Sequence, residues 1–304
     1  MYLEHFGLRE YPFTLTPDTS YFLASHHHQA ALNTLLVAID TGEGFIKITG
    51  EVGTGKTLLC RQFLTHLEHL NSTQAAPKFV SAYIPNPYLT PHSLMMSLAD
   101  ELEIALEPGV GQHHLLKAIS HALLAFANQD RQVILCLDEA QAMPIETLEA
   151  LRLLTNLETE KRKLLQIVLF GQPELDQKLQ HHSIRQLNQR ISFHYQLGKL
   201  SPAELARYIE HRLQIAGYPG RPIFTRRAIN ALHQASGGIP RLVNILAHKA
   251  LMLSFGTGEH QIGAHQISVA ADDTQAAHKI RHYRHYAAIA LVMLATGLGW
   301  VISR

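Results

Sequence analysis

Only two cysteines, Cys60 and Cys136, stand in the 304 residues. Two thiols build neither a disulfide framework nor a four-ligand zinc centre, and nothing requires an oxidising compartment. Both fall inside apolar stretches and read as reduced core residues. Charge is scarce too. Asp, Glu, Lys and Arg make up 17 % of the chain, and Lys+Arg 26 against Asp+Glu 25 leave a net charge of +1. Proteins dedicated to phosphate backbones carry a large basic excess, so nucleic acid is not expected as the main partner. The opening residues, MYLEHFGLREYPFTLTPD, lack a basic stretch followed by an apolar one, so no secretory leader is expected. No internal repeat is visible. What the chain does have is 46 % hydrophobic residues, enough for a core in about two domains and too many for a disordered chain.

One long uncharged run exists, Ala287–Ile302 (AAIALVMLATGLGWVI). Its length of about 16 residues is just under what a spanning helix needs, and Tyr286 and Ser303 extend it slightly. Trp300 suits an interfacial position, and Lys279, Arg281 and Arg284 precede the run with only Arg304 after it. The expectation is a single-pass transmembrane helix over 287–303 that leaves the bulk of the chain in the cytoplasm, at the inner membrane. A buried terminal helix is the competing reading.

Short apolar runs at Phe45–Thr49, Lys78–Ile84, Val133–Leu137 and Leu165–Phe170 predict strands. Between them, 58–70, 90–104, 112–129 and 144–158 carry helical periodicity or a helix-start signal. Alternation of this kind predicts a three-layer α/β core around a parallel sheet. From Ser201 the sequence reads as helices only, opening on the capping box Ser201-Pro-Ala-Glu204. The expected organisation is a P-loop core over 1–198 including an N-terminal extension, a small all-helical lid over 199–273, a basic juxtamembrane linker over 274–286, and the anchor.

Gly50-Glu51-Val52-Gly53-Thr54-Gly55-Lys56-Thr57 fits G-x-x-x-x-G-K-[ST] and sits between a predicted strand and a predicted helix. Glycines there let backbone N–H groups curl round a phosphate chain, and the following helix adds its positive N-terminal end. Lys56 reaches the β- and γ-phosphates, and Thr57 offers a hydroxyl to Mg²⁺. Asp138-Glu139 closes the strand that contains Cys136. Asp138 would hold Mg²⁺ through its water shell, and Glu139 would take a proton from the attacking water. Gln172, after the LQIVLF strand, either touches the γ-phosphate or its water, or belongs to a plain Gly-Gln-Pro turn.

These motifs resemble the AAA+ ATPases, and more narrowly the group of ExeA, general secretion pathway protein A. The similarity runs through YLEHFGLREYPFTLTPDTSYFLAS, GFIKITGEVGTGKT, ILCLDEAQ, LRLLTNLET, LFGQPEL, LNQRI and GGIPRLVN. The resemblance implies that ATP is the substrate and Mg²⁺ the cofactor. It also implies that Gln172 is the sensor 1 residue and that Arg190 is an arginine finger acting on a neighbouring subunit, with Arg185 its rival. Arg241 in Gly237-Gly-Ile-Pro-Arg241 is then the lid arginine of sensor 2. A homo-oligomer follows, serving pilus or secretion assembly proteins of the inner membrane. Members of the group continue beyond their membrane helix into a peptidoglycan-binding region, an activity not expected here. Two other functions stay open: a DNA-linked ATPase of the transposition-helper type, and a nucleotide-gated scaffold with little turnover.

The sequence holds 21 histidines. His26-His27-His28 stands at the approach to a helix and is expected near the nucleotide's base. His278, His282 and His285 share one helical face, which suits zinc or, with the neighbouring cations, an anionic lipid surface. Lys161-Arg162-Lys163 reads as a solvated loop or a DNA contact.

Overall fold

The computed structural model describes residues 2–73, 76–107, 109–159 and 162–278. In chain order the elements are α1 (Tyr2–Phe6), α2 (His26–Asp40), β1 (Phe45–Gly50), α3 (Lys56–Thr73), β2 (Phe79–Ile84), α4 (Pro91–Glu101) and α5 (Gln112–Asn128). There follow β3 (Gln132–Leu137), α6 (Ile145–Leu154), β4 (Leu165–Gly171), α7 (Glu174–Leu179), α8 (Arg185–Asn188) and β5 (Ile191–Leu197). The chain closes with α9 (Pro202–Ile215), α10 (Arg226–Ser236), α11 (Pro240–Thr257) and α12 (Ala264–Asp272). Among the described residues two compact units result: Leu15–Leu200 with Ile239–Arg241, and residues 2–14 with Ser201–Gly238 and 242–278.

In the first unit the five strands pair in parallel in the order β2-β3-β4-β1-β5. A strand's side chains alternate between faces, and the central strands are apolar on both. Val133, Leu135 and Leu137 pack with Leu94 and Leu98 of α4 and Leu115, Ile119 and Leu123 of α5. Ile134 and Cys136 pack with Leu35 of α2 and with Leu59, Cys60 and Phe63 of α3. Both cysteines are buried and free, and burial and their mutual hydrogen bond raise the Cys60 thiol well above its usual value. The expected α/β core with a parallel sheet is what the fold shows.

Differences from expectation in the sheet unit include the end of α6 and the strand β5; α4 also ends earlier, at Glu101, and the short helices α7 and α8 were not expected. Helix α6 stops at Leu154, short of the expected 158, because Thr155 caps it and Glu158 pairs across a bridge with Lys163. The edge strand β5 has no counterpart among the expected strands, although ISFHYQL alternates strictly and its exposure alternates with it.

The second unit is helical from Ser201, with one isolated bridge joining Phe224 and Ile262. Its N-terminal contribution departs from the expected 1–198 division, and the cause is local bonding. Tyr2 Oη meets His248 Nδ1 at 2.8 Å, and the Arg9 N–H donates to the Ala216 carbonyl at 2.8 Å. Arg212 Nε donates to the Pro12 carbonyl at 2.5 Å, and Asn244 Nδ2 to that of Thr14 at 3.1 Å. Tyr2, Phe6, Leu8 and Phe13 are buried there. Among the described residues no helix is long and apolar enough to cross a membrane. The run 287–303 expected to do so lies outside them, as do Lys161, Lys279, Arg281, His282, Arg284 and His285.

Candidate nucleotide site

Parallel strands carry all their carboxyl ends to one edge of the sheet, which is where α/β sheets bind ligands. Register aligns those ends: Thr49 of β1 pairs with Gly171 of β4, and Leu137 of β3 with Leu169. The loop after β1, the Asp138-Glu139 pair after β3 and Gln172 after β4 therefore meet.

The loop from Gly50 to Gly55 turns into α3 through two left-handed glycines, Gly53 at φ +80° and Gly55 at φ +97°. A side chain at either would also collide: a Cβ on Gly53 would lie 2.5 Å from Arg241 Cβ, and one on Gly55 2.8 Å from His28 Nε2. Thr54 Oγ1 donates to the Glu51 carbonyl at 2.9 Å and ties the loop internally. Val52 is exposed at its crest. His28 sits behind the loop, its Nε2 at 3.0 Å from the Thr54 carbonyl and its Nδ1 at 2.8 Å from Ser25 Oγ. That contact is to the phosphate loop itself.

Lys56, the first residue of α3, is buried, and its Nζ donates to the Gly50 carbonyl at 2.8 Å and the Glu51 carbonyl at 3.0 Å. Burial lowers its pKa, against the opposing pull of Glu139, Asp138, Glu51 and Glu174. Thr57 Oγ1 donates to Asp138 Oδ2 at 2.6 Å. Asp138 is buried, its N–H donates to the Ile84 carbonyl of β2 at 3.1 Å, and burial raises its pKa while the Thr57 bond lowers it. Hydroxyl and carboxylate oxygen side by side form the hard-donor pair that Mg²⁺ takes, the rest of its shell coming from water and phosphate.

Glu139 adopts the left-handed conformation, φ 54° and ψ 37°, which costs a non-glycine residue about 1–3 kcal/mol. Its N–H donates to Asp138 Oδ1 at 2.9 Å. Its Oε2 accepts from Gln172 Nε2 at 3.1 Å and from Gln141 Nε2 at 2.5 Å. Gln141 is the residue that sequence reading assigned no role. Its position two places beyond Glu139, in the same strand-end turn, was the available signal. Lys47 was likewise unread: buried on β1, it pairs with Asp176 of α7 at 2.5 Å.

The two arginines fare differently. The Arg241 N–H donates to the Gly53 carbonyl at 3.2 Å, and a Cβ on Gly53 would also lie 3.3 Å from Arg241 Cδ. This arginine therefore lies against the phosphate loop. Arg190, between α8 and β5, donates from Nη1 to Thr155 Oγ1 at 3.0 Å. Arg185 is exposed.

Residues 39–179, which span the phosphate loop, both acidic residues and Gln172, match the family described as AAA domain. The chain is 43 % identical over 271 residues to General secretion pathway protein A of Aeromonas hydrophila, a match covering 89 % of this chain and 48 % of that protein. It thus spans about half the length of that relative. Two solved structures share the fold of this chain at low identity. Cdc6p from Pyrobaculum aerophilum is 14 % identical with a TM-score of 0.63, covering 86 % of this chain and 70 % of that one. The Aeropyrum pernix ORC1 protein in complex with DNA is 18 % identical with a TM-score of 0.61, covering 86 % and 69 %. At these identities the likeness speaks for the fold alone.

Proposed function

We propose that this chain binds ATP and hydrolyses it to ADP and phosphate. In this reading it is anchored at the cytoplasmic face of the inner membrane and serves a secretion machinery or a type IV pilus. The observation that carries the hydrolytic part is the convergence of Lys56, Thr57, Asp138, Glu139 and Gln172 on one end of the sheet. The backbone N–H groups of the loop and the end of α3 receive the phosphates. Lys56 shifts its ammonium from the Gly50 and Glu51 carbonyls to the phosphate oxygens. Thr57 and Asp138 would hold Mg²⁺, which would supply positive charge to the β- and γ-phosphates. The Glu139 carboxylate takes a proton from water, whose oxygen bonds to the γ-phosphorus as the bond to the β–γ bridging oxygen breaks. Gln172 orients that water. Arg190 completes the site of a neighbouring copy, and Arg241 answers to the phosphates of its own.

The identity with General secretion pathway protein A supports the secretion role. The run 287–303, with Lys279, Arg281 and Arg284 before it, supports the anchor. Within that group the pilus reading points to a protein like MshM of the mannose-sensitive haemagglutinin pilus. The test is ATPase activity of the 304-residue chain against its own concentration, with Glu139→Gln as blank and Lys56→Ala as the binding control. Specific activity that rises with concentration supports hydrolysis at composite sites. Activity equal to the blank with ATP bound overturns the hydrolytic reading in favour of a scaffold.

A further inference from the structure

The Gln141 side chain uses both ends of its amide. Its Nε2 donates to Glu139 Oε2 at 2.5 Å, and its Oε1 accepts the backbone N–H of Gln172 at 3.0 Å. Its main chain is tied down as well, since Lys178 Nζ donates to the carbonyls of Gln141 at 2.5 Å and of Met143 at 2.9 Å. Gln172 closes a ring by donating from Nε2 to the same Glu139 oxygen at 3.1 Å. A Cβ on Gly171 would lie 3.4 Å from Gln141 Oε1, so the strand end approaches this amide closely.

We propose that Gln141 is a positioning residue that couples Glu139 to the end of β4. This inference rests on the hydrolytic reading above. Glu139 sits in a backbone conformation that few residues adopt, and a carboxyl at the end of two free torsions wanders unless its oxygens are tethered. Gln141 supplies the tether and fixes its other end to Gln172. When the γ-phosphate draws the Gln172 amide away from Glu139, the Gln172 N–H still holds Gln141, and Gln141 still holds Glu139. The carboxylate then faces the water with one donor on it instead of two. Nucleotide is thereby sensed at β4 and reported to the base at β3 through one side chain.

The test compares Gln141→Ala and Gln141→Glu with the parent in the whole chain, reading kcat, KM for ATP and ATP binding separately. Gln141→Glu keeps an acceptor for the Gln172 N–H but cannot donate to Glu139. The expected result is a fall in kcat of about 10- to 100-fold in both variants with ATP binding unchanged. In a Glu139→Gln background, adding Gln141→Ala should change the residual rate little, because the residue acts through Glu139. Parent-like kcat in Gln141→Glu with a loss confined to Gln141→Ala would reduce Gln141 to a prop for β4 and overturn the proposal. So would a loss seen only in KM. A parent chain no faster than Glu139→Gln would instead mark failure of the hydrolytic reading itself.

Discussion

Gly53 shows how tightly one residue can be specified. Its φ of +80° disfavours every side chain, and the space a methyl would need is taken by Arg241 Cβ at 2.5 Å. Gly53→Ala should cost about 1–3 kcal/mol and weaken ATP binding with it. Urea unfolding with and without ATP reads both, and unchanged values would mean the loop relaxes freely. A second residue-scale effect is pH dependence at His248. Burial lowers its pKa from 6.5, and Tyr2 Oη bonds its Nδ1. A folded-state value below the unfolded one means the unfolded chain binds the proton more readily. The stability this group contributes is therefore full above about pH 6.5 and falls as pH drops below it. The drop in Tm between pH 7.5 and 5.5 should shrink in His248→Gln; an equal drop would assign the effect to other groups.

At the scale of elements, caps and turns did most of the local work. Ser201 Oγ accepts from the Glu204 N–H at 3.3 Å while Glu204 Oε2 accepts from the Ser201 N–H at 2.9 Å, the reciprocal box that Ser-Pro-Ala-Glu spells. Ser201→Ala should cost about 1 kcal/mol, measured by thermal unfolding, with the loss concentrated in amide exchange at the start of α9. Thr90 before Pro91 and Thr225 before Arg226 cap α4 and α10 with the single side-chain bond, accepting from the Ser93 and Ala228 N–H groups. The starts at Thr90 and Ser201 were legible because a cap is a contact between residues three apart. The end of α6 was not, since it depends on Thr155 and on a bridge to Lys163. Strand β5 was legible in principle, for its alternation is complete. It escaped because its outward residues, Ser192, His194 and Gln196, make it resemble a polar connection.

On the scale of the whole molecule the N-terminal fourteen residues matter most. They bury Tyr2, Phe6, Leu8 and Phe13 in the helical unit and satisfy Arg212 and Asn244 through the Pro12 and Thr14 carbonyls. Deleting residues 2–14 removes those acceptors from two side chains that are otherwise buried, at about 1–3 kcal/mol for each donor left unsatisfied. Hydrogen exchange should quicken in α9 and α11 and stay slow in β1, β3 and β4. Uniform acceleration across both units would show that the segment supports the whole chain rather than the helical unit.

The sequence by itself determined the phosphate loop, the acidic pair, the strands β1 to β4 and the helix caps at Thr90 and Ser201. Each of these is a short-range pattern in which spacing along the chain already equals spacing in space. Only the tertiary structure decided that Gln141 joins Glu139 to Gln172, that Lys47 finds Asp176, that Arg190 rests on Thr155, and that the opening residues belong with the closing helices. Those partners are between two and more than two hundred positions apart. They meet only after hydrophobic faces have stacked on the sheet and parallel strands have brought their carboxyl ends to one edge.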